Sequence, residues 1–151
     1  KPYALFYSHF EQVLLLDADN FAARDPTYLF RTPQFRATGA LFWPDYWHEA
    51  NTAFGLTRES LLWPLLDVPF VNMFEQESGQ LLVDRRRCAA ALRALLYFAA
   101  NAAWLRELSG RSLYGDKDLY RFAWMTARAP FHMIARPAGV AGARLGGGFF
   151  R

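Results

Sequence analysis

The chain has 151 residues, of which 53% are hydrophobic and 17% are aromatic, and its formal net charge is +3. This composition excludes intrinsic disorder, collagen-like repeats and a coiled coil, and it supplies enough apolar mass for one core. A charge of +3 gives no argument for a nucleic-acid partner. The single cysteine, Cys88, excludes an internal disulfide framework and a cysteine-rich zinc site.

The predicted elements alternate between strands and helices, which indicates an α/β layered domain. In chain order they are a helix over residues 2–10, a strand over 13–16, a turn or short helix over 25–30, a strand over 39–43, a helix over 58–66, a strand over 79–83, a long helix over 85–108, a helix over 116–127 and a strand over 130–134. The apolar run at 13–16 is typical of a strand covered on both faces. We expect Asp84 to cap the long helix and Gly110 to close it.

The stretch 88–105 is apolar enough to be weighed as a membrane segment, since only Arg93 and Asn101 interrupt it as strongly polar residues. A central arginine costs roughly 2.5–3.5 kcal/mol on insertion scales. The spacing of its leucines and alanines favours the buried stripe of a helix packed in a core. A membrane-associated protein that uses residues 85–108 stays an alternative.

Two carboxylates, Asp17 and Asp19, follow the apolar run that ends at Leu16. Residues i and i+2 of an extended backbone point the same way, so these carboxylates can converge on one point. Mg²⁺ and Mn²⁺ prefer oxygen ligands and often combine one or two carboxylates with substrate phosphates. The competing interpretation is a polar loop that caps the next turn.

A second polar cluster, over residues 75–84, leads directly into a predicted strand. Gly79 permits a tight turn or the close approach of a ligand to the backbone. Gln80 can offer donor and acceptor groups to a sugar hydroxyl, and Glu77 can serve as a base, a nucleophile or a hydroxyl anchor. A solvated loop with an ordinary turn glycine explains the same pattern.

Two further clusters can contribute to a site. Asp116, Lys117 and Asp118 precede a predicted helix, where Asp116 can act as a cap and Asp118 can lie in the first turn. The functional alternative places a carboxylate and Lys117 at a substrate pocket. The run 42–48 is aromatic, and its rings with Asp45 suit a sugar, although such rings more often fill a core. Phosphate-binding loops of the G-x-x-x-x-G-K-[ST] and G-x-G-x-x-G kinds are absent from the sequence.

Taken in order, these segments resemble the fungal Golgi alpha-mannosyltransferases of glycosyltransferase family 71. The resemblance includes Val-Leu-Leu-Leu-Asp-Ala-Asp-Asn at 13–20 and extends over roughly residues 1–134. The segments that carry it are 1–4, 8, 10–11, 13–20, 25–26, 38–47, 75–82, 114–118, 122–124 and 130–134. Several ordered motifs are far more specific than one Asp-x-Asp.

The resemblance implies a GT-A fold, the α/β fold of transferases that use nucleotide-diphosphate sugars, with GDP-mannose as donor and Mn²⁺, or Mg²⁺, as cofactor. It implies transfer of mannose to an alpha-mannoside of a glycoprotein glycan, with retention at the anomeric carbon. It places Asp17 and Asp19 at the metal and diphosphate. The other implied site residues are Glu77, Asp116 and Asp118 as catalytic candidates, Gln80 and Lys117 as donor-binding candidates, and Trp43, Asp45, Trp47 and His132 at the acceptor.

The resemblance further implies that residues 1–151 form one domain, the later part of a GT-A catalytic domain, and that a membrane anchor lies in a preceding part of the protein. It implies a type II membrane protein of the Golgi lumen. Three alternatives stay open. One is a transferase that uses another nucleotide sugar, and the other two, an inactive truncated transferase and a non-catalytic glycan-binding module, have no transferase activity.

Overall fold

A computed structural model describes residues 1–48, 50, 52, 56–110, 113–139 and 142–150. Its elements are α1 (Pro2–Tyr7), β1 (Gln12–Leu16), a 3₁₀ helix (Pro26–Arg31), α2 (Pro33–Thr38), β2 (Ala40–Pro44), α3 (Leu62–Leu65), β3 (Gln76–Asp84), α4 (Ala89–Ala100), α5 (Ala102–Leu108), α6 (Leu119–Thr126), β4 (His132–Met133), β5 (Ala143–Leu145) and β6 (Gly148–Phe150). The alternation of strands and helices confirms the predicted α/β class.

Four strands form a mixed sheet in the order β1-β3-β2-β4, and β5 with β6 forms a separate antiparallel pair. β3 runs antiparallel to both β1 and β2, whereas β2 and β4 are parallel. β1, β2 and β4 therefore run in one direction and end at one edge of the sheet, which we call the carboxyl edge. Loops that follow these three strands meet there.

The two faces of the sheet are covered differently. The first face packs Phe42 and Val83 against the helices in the larger apolar cluster, where the Phe42 ring lies 5.1 Å from that of Trp124. The second face carries a smaller cluster, in which Leu41 and Leu82 contact Phe35. Much of the second face near the carboxyl edge is therefore left for a cavity.

Most predicted strands are confirmed, with one error of environment. The strand predicted at 13–16 is β1, but its residues are only partly buried, so coverage on both faces was a wrong expectation. The reason is that β1 lies at the end of the sheet and pairs with β3 alone. The strand predicted at 79–83 extends back to Gln76, which places Gly79 inside a strand rather than in a turn.

The predicted helices form in shorter pieces. The long helix over 85–108 is divided at Asn101 into α4 and α5, and residues 85–88 form a turn in which Asp84 Oδ1 accepts a hydrogen bond from Arg87 N at 3.0 Å. Gly110 follows α5 with φ of 66°, as expected of a closing glycine. In the part of the chain that the structure describes, every helix is too short or too polar to cross a membrane.

Other boundaries also differ from the predictions. The helix predicted over 2–10 ends at Tyr7, the one predicted over 58–66 is reduced to Leu62–Leu65, and the one predicted over 116–127 begins at Leu119. Asp118, predicted for the first turn, occupies the position before α6 with φ of 64°, and its side chain makes no capping bond. Asp116, the predicted cap, lies in the preceding turn and its carboxylate accepts hydrogen bonds from the Ser78 and Tyr120 hydroxyls instead, so its predicted capping role is wrong. The elements α2, β5 and β6 were not predicted from the sequence.

Candidate functional site

A cavity of about 1380 Å³ opens on the second face of the sheet at the carboxyl edge; we call it the sheet cavity. Many of the residues predicted for the site line it, although they are distant in the sequence. They are Asp17, Asp19, Trp43, Glu77, Gln80 and His132. The structure thus brings together the Asp-x-Asp motif, two residues of the 75–84 cluster and two acceptor candidates.

The two aspartates lie in a turn over residues 17–20, here named the acid turn. Asn20 N donates to Asp17 O at 2.9 Å, so this backbone is not extended as the sequence reading assumed. Both carboxylates nevertheless line the sheet cavity. Asp17 N and Asn20 Nδ2 both donate to the carbonyl oxygen of Gly79, at 2.9 and 2.8 Å, which fixes the acid turn to β3.

Position 79 favours glycine because the Asn20 side chain approaches its backbone closely. A Cβ at this position would lie 2.7 Å from Asn20 Nδ2 and 3.1 Å from Glu77 Oε1. Gly79 N donates to Glu77 Oε1 at 2.6 Å, which fixes the Glu77 carboxylate beside the acid turn. The pairing of β3 with β2 is irregular here, since Phe42 opposes Leu81 while Trp43 opposes Glu77. The expected close approach is therefore confirmed, with an asparagine side chain as the approaching group.

Asp17 belongs to a second set of contacts, the Lys1 cluster, which joins Lys1, Asp17, Ser78, Asp116 and Tyr120. Lys1 Nζ lies 3.0 Å from both Asp17 Oδ2 and Ser78 Oγ and 3.3 Å from Asp116 Oδ1. Ser78 and Tyr120 donate to the two oxygens of Asp116. Partial burial opposes the charge of Lys1, but the two carboxylates outweigh it and raise the pKa of Lys1. Burial, with Asp116 next to it, raises the pKa of Tyr120.

Asp19 differs from Asp17 in its contacts. Within the described part of the chain, its carboxylate makes no hydrogen bond or ion pair, and the residue is exposed in the turn. It lines the sheet cavity next to Asp17. Asp19 is thus an exposed negative charge at the cavity, which water solvates and which a bound cation can neutralise.

The other predicted acids form a buried ion network away from the lining of the sheet cavity. Lys117 Nζ lies 2.9 Å from Asp45 Oδ2 and 2.5 Å from Glu75 Oε2, and Glu75 is only 1% exposed. Burial acts to lower the pKa of Lys117, but Glu75, Asp118 and Asp45 together raise it above the ordinary value. The backbone N–H of Glu75 donates to the carbonyl of Trp47 at 2.8 Å, which fixes this loop beside the network.

Asp118 extends this polar core toward α6. Its Oδ1 accepts a hydrogen bond from Gln76 N at 2.8 Å and pairs with Arg121, which is 2% exposed. Burial raises the pKa of Asp118, although Arg121 and the Gln76 N–H oppose that change. Gln76 Oε1 in turn accepts from Arg121 N at 2.7 Å. These contacts join the start of β3 to the start of α6.

Several residues of the cavity lining were missed by sequence reasoning, and Arg24 is the most informative of them. Its Nη2 donates to Tyr28 Oη at 2.7 Å, and its guanidinium carbon lies 4.5 Å from the centre of the Tyr28 ring. The available signal was an arginine four residues before a tyrosine and five residues after the Asp-x-Asp motif. Tyr46 and Arg136 also line the sheet cavity, and Tyr46 Oη donates to Gly139 O at 2.8 Å.

The acid turn offers donor atoms suited to a hard divalent cation. Asp17 and Asp19 supply carboxylate oxygens at one cavity, although Lys1 already contacts Asp17 Oδ2. Among the described residues, no group of three or more His, Cys, Asp or Glu side chains is arranged to bind a metal ion. The donor set therefore fits a cation of the Mg²⁺ or Mn²⁺ kind that takes one or two protein carboxylates and completes its shell with phosphate and water.

Comparison with known proteins supports the resemblance found in the sequence. A family model described as "Mannosyltransferase putative" matches residues 1–59, which contain α1, β1, the acid turn and β2. The alpha-1,2-mannosyltransferase MNN21 of Candida albicans is 44% identical over 171 aligned positions, which cover 90% of this chain and 26% of that protein.

Two further relatives extend over most of the chain. The alpha-1,2-mannosyltransferase MNN2 of Saccharomyces cerevisiae is 27% identical across 94% of this chain and 29% of its own length. The alpha-1,2-mannosyltransferase MNN22 of Candida albicans is 24% identical across 99% of this chain and 31% of its own length. The chain thus spans between about a quarter and a third of these relatives. The resemblance is confirmed, and over most of its length the chain is related in sequence to the fungal alpha-1,2-mannosyltransferases.

Proposed function

We propose that this chain carries part of the active site of an alpha-mannosyltransferase that moves mannose from GDP-mannose to an alpha-mannoside of a glycoprotein glycan. The observation that carries the proposal is the sheet cavity, where the acid turn, Glu77 and Gln80 come together at the carboxyl edge. The relatives bear the name alpha-1,2-mannosyltransferase, and the matched region includes these residues. Ligand sites are clefts in which a few placed polar and charged groups fix the orientation of the ligand, and these side chains supply such groups.

A GT-A arrangement is the fold that we propose for the larger domain. Its support is the position of the Asp-x-Asp motif directly after β1, at the edge where three strands of a mixed sheet end. Ligands of open α/β sheets bind outside the carboxyl ends of strands. We also propose, from the resemblance alone, that the whole protein is anchored in the membrane and works in the Golgi lumen.

Asp17 and Asp19 are the residues that would bind the proposed Mn²⁺ or Mg²⁺. When bound, such an ion stabilises the negative charge that develops on a departing diphosphate. The protein contributes a turn that two hydrogen bonds to Gly79 fix in place, so the backbone that carries both carboxylates is formed before the donor arrives. Lys1 neutralises part of the charge of Asp17, which leaves Asp19 as the uncompensated ligand.

Glu77 and Gln80 are proposed to face the reacting sugar. The Gly79 N–H holds Glu77 Oε1, so the carboxylate has a fixed direction at the cavity. Retention at the anomeric carbon requires either a carboxylate nucleophile or attack from the face of the leaving phosphate, and Glu77 is the candidate for the first route. Trp43 and His132 line the same cavity and can contact an acceptor sugar through a ring and a hydrogen bond.

The remaining predicted residues are assigned supporting roles in this proposal. Asp116 anchors Lys1, which contacts Asp17, while Asp45 and Lys117 share the buried ion network. Asp118 joins β3 to α6 through its contacts with Gln76 and Arg121. Trp47 stays an acceptor candidate whose backbone carbonyl binds Glu75 N.

Calorimetric titration of GDP into the 151-residue chain, with and without Mn²⁺, tests the proposal. We expect binding that requires the metal and that is weakened at least about tenfold by Asp19→Asn, because this change removes the uncompensated ligand charge while keeping its shape. Asp25→Asn is the matched control, since Asp25 is an exposed acid of the same loop that is bound to Thr27. If the chain binds free mannosides with an affinity that GDP, Mn²⁺ and Asp19→Asn leave unchanged, the result would instead favour a glycan-binding module.

A further inference from the structure

We propose that Arg24 binds the diphosphate of the sugar nucleotide and is a substrate-binding residue of the sheet cavity. This inference rests on the proposed function and extends it to a residue outside the Asp-x-Asp motif. Arg24 follows the acid turn on the loop to the 3₁₀ helix, five positions after Asp19, and lines the same cavity. A diphosphate held at the acid turn therefore lies next to the loop that carries this guanidinium.

The charges of the cavity support an anion near Arg24. The charged residues of its lining are three carboxylates and two guanidiniums, Asp17, Asp19, Glu77, Arg24 and Arg136. Lys1 pairs with Asp17 and also with Asp116, so the set with Lys1 and Asp116 added keeps a net charge of −1. A divalent cation and the two negative charges of a diphosphate diester then cancel each other. Without Arg24 the loaded site would carry one further negative charge, which weakens the attraction between the cavity and an anion.

The guanidinium of Arg24 is already positioned. One N–H donates to Tyr28 Oη at 2.7 Å, and the guanidinium carbon lies 4.5 Å from the centre of the Tyr28 ring. Both contacts restrict a side chain that otherwise loses much rotamer freedom on binding. Since a guanidinium has five N–H donors, four remain for phosphate oxygens, which it can bind in pairs.

The ion pairing of Arg24 also bears on its role. Within the described part of the chain, it makes no ion pair with a carboxylate. Its neighbour Asp25 is used elsewhere, since its two oxygens accept hydrogen bonds from Thr27 N and Thr27 Oγ1. By contrast, Arg85 donates to three backbone carbonyls and Arg121 pairs with Asp118, so those arginines are structural.

Arg136 is the other arginine of the lining, but it lies on the opposite side. It follows β4, which is three positions from β1 in the sheet, or roughly 14 Å at the usual spacing of strands. The acid turn follows β1 and Arg24 belongs to the same loop. Arg24 is therefore the arginine that can share one diphosphate with Asp17 and Asp19.

Calorimetric titrations of GDP and of guanosine, both in the presence of Mn²⁺, test the inference. We expect Arg24→Gln to weaken GDP binding about 10- to 100-fold and to leave guanosine binding unchanged, because the lost hydrogen bonds go to charged phosphate. Tyr28→Phe is expected to give a smaller loss of GDP affinity, since it removes one contact that positions Arg24. Arg58→Gln is the matched control, because Arg58 is an exposed arginine over the ring of Phe70 at 4.4 Å and lies outside the cavity lining.

Three results overturn the inference, and they are distinguishable from one another. Equal GDP affinity for Arg24→Gln and Arg58→Gln, with binding still lost on removal of Mn²⁺, rejects Arg24 and leaves the proposed function standing. An equal loss for GDP and guanosine in Arg24→Gln also rejects a phosphate contact, since guanosine has no phosphate. Absence of GDP binding by the folded wild-type chain counts against both the inference and the proposed function.

Discussion

Replacement of Lys117 by methionine is expected to lower the free energy of unfolding by about 3–5 kcal/mol, the usual cost of removing one partner from a buried ion pair. Its ammonium lies 2.9 Å from Asp45 Oδ2 and contacts Glu75, which is 1% exposed while Lys117 itself is 7% exposed. Methionine matches the length of the lysine stem but leaves the Glu75 carboxylate buried without its cation. The Glu75 carboxylate must then either bind a proton or become exposed to water.

Urea denaturation followed by circular dichroism measures the loss. The double variant Glu75→Gln/Lys117→Met is expected to recover at least about half of it, because the buried charge is removed and the new amide oxygen can still accept a hydrogen bond. Arg58→Met, which removes an exposed cation, is expected to change the unfolding free energy by less than about 0.5 kcal/mol. If Lys117→Met unfolds like the wild type but loses GDP binding, the reasoning is refuted and Lys117 is a donor-binding residue.

The buried ion network around Lys117 makes the free energy of unfolding depend on pH. The pKa of Lys117 is raised above its ordinary value of 10.5 in the folded state, since its carboxylate partners outweigh burial. A raised lysine pKa stabilises the fold below the unfolded value, and this contribution is lost as the pH rises through the folded value. Wild-type unfolding free energy is therefore expected to fall above about pH 10.5, and more steeply than that of Lys117→Met.

Two further predictions concern Gly79 at the cavity wall and Cys88 in the core. Gly79→Ala is expected to change the unfolding free energy by less than about 1 kcal/mol, because loss of the Asn20 hydrogen bond is offset by a stiffer unfolded chain, while calorimetry shows weaker Mn²⁺-dependent GDP binding. Unchanged GDP affinity would contradict the role given to this contact. Cys88 is 2% exposed and burial raises its thiol pKa, so iodoacetamide is expected to label it only as fast as the chain opens. Labelling of the native chain at the rate of a free thiol would disagree with this burial.

The sequence predicted those elements that are determined by residues close together in the chain. The apolar run before Asp17 forms β1, and Asp25 caps the 3₁₀ helix through Thr27 N at 3.0 Å, as the Asp-Pro pair indicated. The break at Asn101 was not predictable from composition, because alanine and leucine continue on both sides of it. Nor was the conformation of the acid turn, since its fixing partner, Gly79, is about sixty residues away in the sequence.

The sequence contains three pairs of acids separated by one residue, at 17/19, 75/77 and 116/118, and their fates show why spacing alone does not identify a site. Glu75 pairs with Lys117, whereas its neighbour in the pattern, Glu77, lies at the sheet cavity. The pair at 116 and 118 is likewise divided, one acid going to Lys1 and the other to Arg121.

What separates these acids is the nearest cation rather than their spacing. Within the described residues, Asp19 and Glu77 have no cationic partner, and both line the sheet cavity. A carboxylate without a cation is costly in a dry interior, so the fold leaves such charges where water or a ligand can reach them. The acids that the protein does not neutralise by itself are consequently the ones that a bound cation and its diphosphate can use.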